Sequence, residues 1–377
     1  MDKVSARATL MLVGVLGMGA FLVLPSIAVG LVADLGFTDQ DIGRIATWQL
    51  IGLACGSALS ILMLRHLHWR HAANVSLLVL LAGELPSIWF QQYEALVVAR
   101  FVAGVGGGLC VSLAAYGLGQ TSAAERNFGL FLTAQVVFAI LGSFAFPSVI
   151  DWWGLAGIFT VLCALELITL ALLTRWVAVE RWVRATPGEG NSAVLWVLSG
   201  AVMLGILFFY TAIGGFWTYI APIGMDSGLS KQQTGNAVSI GLFGALVGSY
   251  AAAALNVRVG RFLPMAVALV LQLIAVAMLY RSFDNVGFIA AVSLFCIGWY
   301  IYVPYQFGLL AAVDRDGRPL MLLNAVAGLG SGLGPAIAAG LLSDGFGIVY
   351  LLCIAFLLAA AVSHIAVLVL GREQLRT

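Results

Sequence analysis

Twelve long apolar runs, separated by short segments rich in charged residues, proline and glycine, constrain this chain more than any other feature. Each run reaches about 20 residues, which is the length of helix needed to cross the hydrocarbon core of a bilayer. Only 9% of the 377 residues are charged, whereas a soluble domain carries about 25%. The sequence therefore predicts an all-α membrane protein with twelve transmembrane helices.

The same composition excludes several classes of function. A formal net charge of +1 gives no reason to expect a nucleic-acid partner. The cysteines and histidines show neither a metal-binding spacing nor a disulfide framework, and no G-x4-G-K-[ST] nucleotide loop occurs. We therefore expect no metal, no cofactor, no catalytic residues and no enzymatic activity. The five cysteines all fall within apolar runs: Cys55, Cys110, Cys163, Cys296 and Cys353.

The distribution of basic residues predicts how the chain is oriented. Most of the 18 Lys and Arg residues fall at the termini or in the even-numbered loops. Cytoplasmic loops carry an excess of Lys and Arg, so both termini are predicted to be cytoplasmic. We expect a multi-pass protein of the cell (inner) membrane. The basic residues elsewhere are Arg44, Lys231 and Arg281 on the opposite side and Arg100 within a span.

An internal repeat divides the chain into two halves. Segments 34–43 and 226–235 share the pattern D-x-G-[FL]-[TS]-x4-G and follow the first and seventh apolar runs. Six helices separate the copies, which predicts two parallel, pseudo-symmetric six-helix bundles. We place the N-terminal bundle at 1–177, a short cytoplasmic linker at 178–192 and the C-terminal bundle at 193–377. Two further connections repeat at nearly the same separation: Arg65 with Arg258, and segment 151–154 with segment 344–347.

The repeated pattern predicts helix ends. Gly36 and Gly228 suit the end of a helix, where the backbone often takes a positive φ. A Thr or Ser two residues later can cap the next helix, with Asp41 or Gln233 as its capping-box partner. We interpret Asp34 and Asp226 mainly as helix-end residues. A proton-carrying role for Asp34 is the alternative.

Several motifs resemble those of the major facilitator superfamily of secondary transporters. Segment 100–106 matches that family's R-x3-G-x-G pattern in the fourth helix, and Arg258-Val-Gly260-Arg261 is similar to its basic loop motif. The pair Gly334-Pro335 is similar to a Gly-Pro motif that the family's antiporters carry in the fifth helix, although here it lies in the eleventh. The resemblance covers nearly the whole chain. It implies that helices one, four, seven and ten line a central cavity.

Three ionisable residues fall within predicted spans, where a charge is costly and is usually paired or functional. Glu84 and Arg100 lie eight residues either side of Gln92, so on antiparallel helices both lie about 12 Å below the loop tip. We predict an ion pair, interpreted either as structural or as a site where Arg100 binds an anionic group or gates a proton on Glu84. Glu166 in the sixth helix is either a packed carboxyl group or a coupling site.

Aromatic residues in the seventh and tenth helices suggest a solute class. Trp299, Tyr302 and Gln306 have the spacing of one helix face, as do Tyr210 and Trp217. An aromatic cavity wall suits a small amphiphilic or aromatic solute, and an interfacial aromatic belt is the alternative.

The sequence thus predicts a secondary active transporter that works by alternating access. We expect it to be proton-coupled and monomeric, with a lean towards efflux. Uptake of an aromatic or carboxylate solute by proton symport and a non-transporting membrane sensor are the alternatives. The predicted solute-binding residues are Arg100, Tyr210, Trp217, Trp299, Tyr302 and Gln306, and the predicted proton-coupling residues are Glu84, Asp34 and Glu166.

Overall fold

A computed structural model describes residues 4–119, 124–176, 193–255, 259–280, 283–314, 318–342 and 345–371. These residues form helices and short connections and contain no strand. The chain divides into two compact units, residues 1–185 and 186–377. The predicted linker at 178–192 and the basic residue Arg258 lie outside the described residues. The bundle boundaries at 177 and 193 remain predictions.

The first unit begins with a broken helix rather than the continuous span that the sequence suggested. Its backbone departs from helical geometry at Val23, between α2 and α3, whereas Met18, between α1 and α2, keeps right-handed helical φ and ψ. Pro25 lies in the first turn of α3, where its missing N–H costs nothing. The described helices are α1 (Val4–Gly17), α2 (Gly19–Leu22), α3 (Leu24–Leu35), α4 (Asp39–His66), α5 (Trp69–Glu84), α6 (Pro86–Trp89), α7 (Tyr93–Gly119) and α8 (Ala124–Trp176).

Helix α8 contains both the fifth and the sixth predicted spans. The two spans meet within the repeated segment 151–154, in which residues 151–153 are still helical. The break is confined to Gly154, whose φ of 66° and ψ of −170° lie outside the helical region. A glycine adopts this backbone conformation without the steric cost of a Cβ. One residue is therefore enough to separate the two arms of α8.

The described part of the second unit contains six long helices. They are α9 (Ala193–Asp226), α10 (Lys231–Leu255), α11 (Phe262–Tyr280), α12 (Asn285–Val313), α13 (Arg318–Leu341) and α14 (Gly347–Leu370). Across the described residues, 10 helical segments are long and apolar enough to cross a membrane. Since α8 provides two crossings and the broken helix α1–α3 provides another, the described helices account for the twelve predicted spans.

The repeated capping pattern is confirmed atom by atom. The Thr38 N–H donates to Asp41 Oδ2 at 3.1 Å, and the Asp41 N–H donates to Thr38 Oγ1 at 3.2 Å. In the second unit the Ser230 N–H donates to Gln233 Oε1 at 2.9 Å, and the Gln233 N–H donates to Ser230 Oγ at 3.2 Å. Each box satisfies amides that the first turn of a helix leaves unpaired. The preceding glycines have the predicted positive φ, 64° at Gly36 and 92° at Gly228.

Glycines place α7 at the centre of the first unit. A Cβ at Gly104 or Gly108 would collide with the backbone of α4, and one at Gly106 would collide with α5. A Cβ at Gly107 would meet the backbone of α1. Close backbone approach of this kind is a main source of helix association in lipid. The glycine-rich part of the motif is therefore a packing surface that faces three neighbouring helices.

We expect Gly104→Ala to destabilise the first unit, because the added methyl group meets the main-chain oxygen of Gln49 and neither backbone can move without disturbing a helix. Overpacking of this kind costs about 1–3 kcal/mol. Gly200→Ala is the matched control, since a Cβ there meets nothing within 4 Å. Thermal melting of purified protein in detergent checks both variants. Equal melting temperatures for the two variants would contradict the packing role.

Candidate functional site

The first unit buries a complete ion pair between α5 and α7. Arg100 Nη1 donates to Glu84 Oε1 at 3.0 Å, and Arg100 Nη2 donates to Glu84 Oε2 at 2.9 Å. The two residues are 0% and 1% exposed. The predicted pair is therefore present, as the equal distance from the loop tip suggested. Its two-pronged geometry is the strongest that a guanidinium and a carboxylate form.

A close approach of α5 to α7 makes this pair possible. Gly83 precedes Glu84, and a Cβ at Gly83 would collide with the backbone of Ala99 and Ala103. Because the two helices touch here, Arg100 reaches back across α5. Its Nη2 also donates to the carbonyl oxygen of Gly83 at 3.1 Å.

Two further residues hold the guanidinium, and the sequence did not identify either. The Ser87 hydroxyl accepts from Arg100 Nη2 at 2.8 Å and donates to the Gly83 carbonyl at 2.9 Å. Phe159 on α8 lies under the guanidinium, with the Arg100 Cζ atom 4.5 Å from the ring centroid. A cation over an aromatic ring is stabilised further when water is excluded. Pro86, which begins α6 just after the end of α5, was the signal that could have drawn attention to Ser87.

Glu166 lies beside this pair. It is 1% exposed on α8, and its Oε2 atom has no hydrogen-bond partner in the described part of the chain. It is close enough to interact electrostatically with both Glu84 and Arg100. Phe159 precedes it by seven residues, so the two side chains share a face of α8. The structure thus brings together Glu84, Arg100 and Glu166, which we call the charged cluster.

Asp34 lies apart from the charged cluster. Its side chain is at the exposed end of α3, and its Oδ2 atom accepts the Leu155 N–H at 2.6 Å. That amide belongs to the first turn after the Gly154 break, where a negative group is stabilised by the helix dipole. The geometry therefore agrees with a helix-end role for Asp34. A role in proton coupling remains a prediction.

The second unit places four of the predicted solute-binding residues in two sets of ring contacts on α9 and α12, which together we call the aromatic group. Trp217 on α9 meets Trp299 on α12 edge to face, with ring centroids 5.7 Å apart. Tyr302 stacks on Phe209 at 4.6 Å. Tyr210 meets the edge of the same Phe209 ring at 5.7 Å. Tyr210 is partly buried, whereas Trp217, Trp299 and Tyr302 are buried inside the described unit, which argues against an interfacial belt of aromatic residues.

Tyr302 also belongs to a buried polar chain. Its hydroxyl lies 3.0 Å from His364 Nδ1, and His364 Nε2 lies 3.3 Å from the carbonyl oxygen of Val202. A carbonyl can only accept, so Nε2 carries the hydrogen and a neutral His364 accepts from Tyr302. No spacing pattern in the sequence links His364 to Tyr302. Gly205 leaves room for the ring, because a Cβ there would meet the imidazole.

Gln306 lies one helical turn after Tyr302 and is 0% exposed. Neither its amide oxygen nor its amide nitrogen has a hydrogen-bond partner among the described residues. A buried amide without partners is costly. Gln306 is therefore a polar group that can offer one donor and one acceptor to a bound molecule.

Comparison with known families decides the class of protein. The family model described as the Major Facilitator Superfamily matches residues 9–318. The chain belongs to the Major Facilitator Superfamily. It is a multi-pass membrane protein with the fold of that family's transporters, which bind small-molecule solutes. No curated protein sequence matches the chain.

Solved structures share this fold at low sequence identity. A D-xylose–proton symporter has a TM-score of 0.76 at 16% identity, with 96% of each chain covered. A bacterial homologue of the human drug peptide transporters PepT1 and PepT2 has a TM-score of 0.75 at 16% identity, covering 99% of this chain and 100% of that one. A bacterial homologue of the human lysosomal transporter Spinster has a TM-score of 0.70 at 14% identity, covering 100% of this chain and 96% of that one. Likeness at this level of identity establishes the fold alone.

We expect Arg100→Met and Glu84→Gln each to destabilise the protein, because each leaves the other member of the pair without its main partner. Breaking a buried pair from one side costs about 3–5 kcal/mol. The double variant should lose less than the sum of the two single losses, since neither charge of the pair then remains. Thermal melting of the wild type, the two single variants and the double variant gives the four measurements of this double-mutant cycle. Strictly additive losses would show that the two side chains do not depend on each other.

Proposed function

We propose that this chain is a secondary active transporter that moves a small amphiphilic or aromatic solute by alternating access, coupled to protons, with a lean towards efflux. The observation that carries the proposal is the charged cluster of Glu84, Arg100 and Glu166 within the lipid-embedded part of a Major Facilitator chain. Ionisable groups at such positions are expensive. They usually serve ion or solute pathways.

The composition of the charged cluster supports proton coupling. It contains two carboxyl groups and one guanidinium in a site that excludes water. Ionising both carboxyl groups would leave an uncompensated charge, which is far more costly than binding a proton. The similarity in fold to a D-xylose–proton symporter is consistent with such coupling.

The aromatic group of the second unit supports the proposed solute class. Trp217, Trp299, Tyr302 and Tyr210 supply aromatic rings on α9 and α12, and Gln306 supplies an amide without a hydrogen-bond partner among the described residues. A few polar groups among aromatic walls are typical of sites for small organic ligands. We assign these five residues to solute binding. Arg100 uses both terminal nitrogens on protein atoms, so we place it on the proton-coupling side.

The proposed lean towards efflux comes from a motif and from the solute class. The Gly334-Pro335 pair in α13 resembles an antiporter motif, and aromatic walls suit amphiphilic compounds that are exported. Uptake of an aromatic or carboxylate solute by proton symport is the second candidate, favoured by the symporter among the similar structures. A non-transporting membrane sensor is the candidate from a different class.

The function is tested first by a thermal-shift screen with aromatic acids, cationic aromatic dyes and sugars, and then by flux of the best stabiliser in proteoliposomes. We expect an aromatic probe to stabilise the protein and a pH gradient to drive its accumulation. Trp299→Ala should weaken binding about tenfold, since loss of one aromatic contact removes about 1.4 kcal/mol or more. The matched control is Trp152→Ala, whose side chain is 75% exposed in α8.

Three outcomes of these measurements separate the candidates. Accumulation inside vesicles that are acidic inside supports antiport, and accumulation from an acidic exterior supports symport. Specific binding with no flux under any gradient would sink the transporter proposal and favour the sensor. Equal weakening by both tryptophan variants would remove Trp299 from the proposed solute site.

We further propose that the protein lies in the cell (inner) membrane with both termini in the cytoplasm. In a Cys55→Ser background, cysteines placed at Thr38 and Ser230 should react with an impermeant thiol reagent in intact cells. A cysteine at Arg261, in the basic loop before α11, should react only after the cells are permeabilised. The remaining native cysteines are buried and provide a low background. The opposite labelling pattern would show that the termini lie on the other side of the membrane.

A further inference from the structure

We propose that the charged cluster is a binding site for one proton and that Glu166 carries this proton while Glu84 and Arg100 form the ion pair. The inference deepens the proton-coupled function proposed above by naming the residue that binds the proton. It also differs from the simpler idea that Arg100 gates a proton on Glu84. Three observations carry it: the geometry of the pair, the isolation of Glu166 and an unused donor on Arg100.

Glu84 has the geometry of the ionised carboxylate. Each of its oxygens accepts a hydrogen bond from a different terminal nitrogen of Arg100, at 3.0 and 2.9 Å. A protonated carboxyl group cannot offer both oxygens equally, because one of them carries the hydrogen. Glu84 therefore neutralises Arg100, and the pair has no net charge.

Among the described residues, Glu166 has no cation left to neutralise it. Within that part of the chain, the charged groups in electrostatic range of Glu166 are Glu84 on α5 and Arg100 on α7. The thiols of Cys110 on α7 and Cys163 on α8 also interact with it. The broken helix α1–α3, which packs against α8 as well, carries Arg7 near its start and Asp34 near its exposed end.

The energetic cost of ionisation falls on the Glu166 carboxyl group. An ionised Glu166 would be a second negative charge with an Oε2 atom that has no donor. A buried carboxylate without a counterion neutralises itself by binding a proton. One proton on Glu166 therefore gives the charged cluster a net charge of zero.

Arg100 retains one donor that Glu166 can use after it loses its proton. The Nε atom of Arg100 is buried and has no hydrogen-bond partner among the described residues, whereas both terminal nitrogens are engaged. Phe159, which contacts the guanidinium of Arg100, lies on the same face of α8 as Glu166. Loss of the proton would draw the new carboxylate towards Nε and change the contact between α7 and α8. Proton binding is thereby linked to helix packing.

Infrared spectroscopy of the purified full-length protein in lipid tests the proton site without any solute. Difference spectra against Glu166→Gln at neutral pH should show one carboxylic-acid C=O stretching band in the wild type. Glu166→Asp should shift this band, whereas Glu84→Asp should leave it in place. Arg100→Met should double its intensity, since neither carboxyl group then has a cation. Glu94→Gln, which removes an exposed carboxylate at the start of α7, is the matched control and should leave the band unchanged.

Each other result overturns the inference. A full-intensity band in Glu166→Gln would place the proton elsewhere, and a band that moves with Glu84→Asp would assign it to Glu84. The absence of any acid band in folded wild-type protein would show that both carboxyl groups are ionised. Melting temperature and size-exclusion profile establish folding for every variant, and the two conservative Asp variants decide the assignment if Glu166→Gln does not fold.

Flux measurements separate this inference from the proposed function. Glu166→Gln should abolish accumulation driven by a pH gradient and retain exchange of the screened probe between the two sides of the vesicle membrane. A normal acid band in a wild-type protein that moves no probe would overturn the transporter proposal and leave the proton site in place. Full pH-driven accumulation in Glu166→Gln would overturn the coupling role of Glu166 and leave the transporter proposal in place.

Discussion

Close contact between helix backbones is the constraint on which the rest of this molecule depends. In lipid, two apolar helices gain little by hiding from the solvent, so their association relies on tight packing and on polar contacts. Helix α7 achieves this through glycines that meet α1, α4 and α5. The contact at Gly83 has a second effect, because it brings α5 near enough for Arg100 to reach Glu84. The packing that holds the first unit together therefore also builds its charged cluster.

Much of the fold follows from local patterns in the sequence. The lengths of the apolar runs and the positions of the charged residues predicted the spans. The short repeat at 34–43 and 226–235 predicted the two halves and their capping boxes. The ion pair was also predictable, since equal distances from Gln92 fix the depth of Glu84 and Arg100. These features depend on residues close in sequence or on helix geometry alone.

Other features depend on tertiary contacts that no local pattern reveals. The exact positions of the helix breaks are examples, because Pro25 marks the region of the break at Val23 but not the residue, and α8 continues through Asp151 as far as Gly154. The partnership of Tyr302 with His364 joins α12 to α14. Glu166 was visible as an intramembrane carboxyl group. Its position beside Arg100 required the packing of α8 against α7, and that packing is set by shape rather than by sequence spacing.

The fold of this chain is shared with transporters of a sugar and of peptides, so the fold alone does not choose a solute. We propose that solute movement is coupled to one proton held in the charged cluster. The decisive measurement is the number of protons exchanged when purified protein in weakly buffered detergent is saturated with the best ligand. We expect ligand-linked exchange in the wild type, as release for an antiporter or uptake for a symporter, and no exchange in Glu166→Gln that still binds the ligand. Exchange of equal size in both proteins would contradict this proposal.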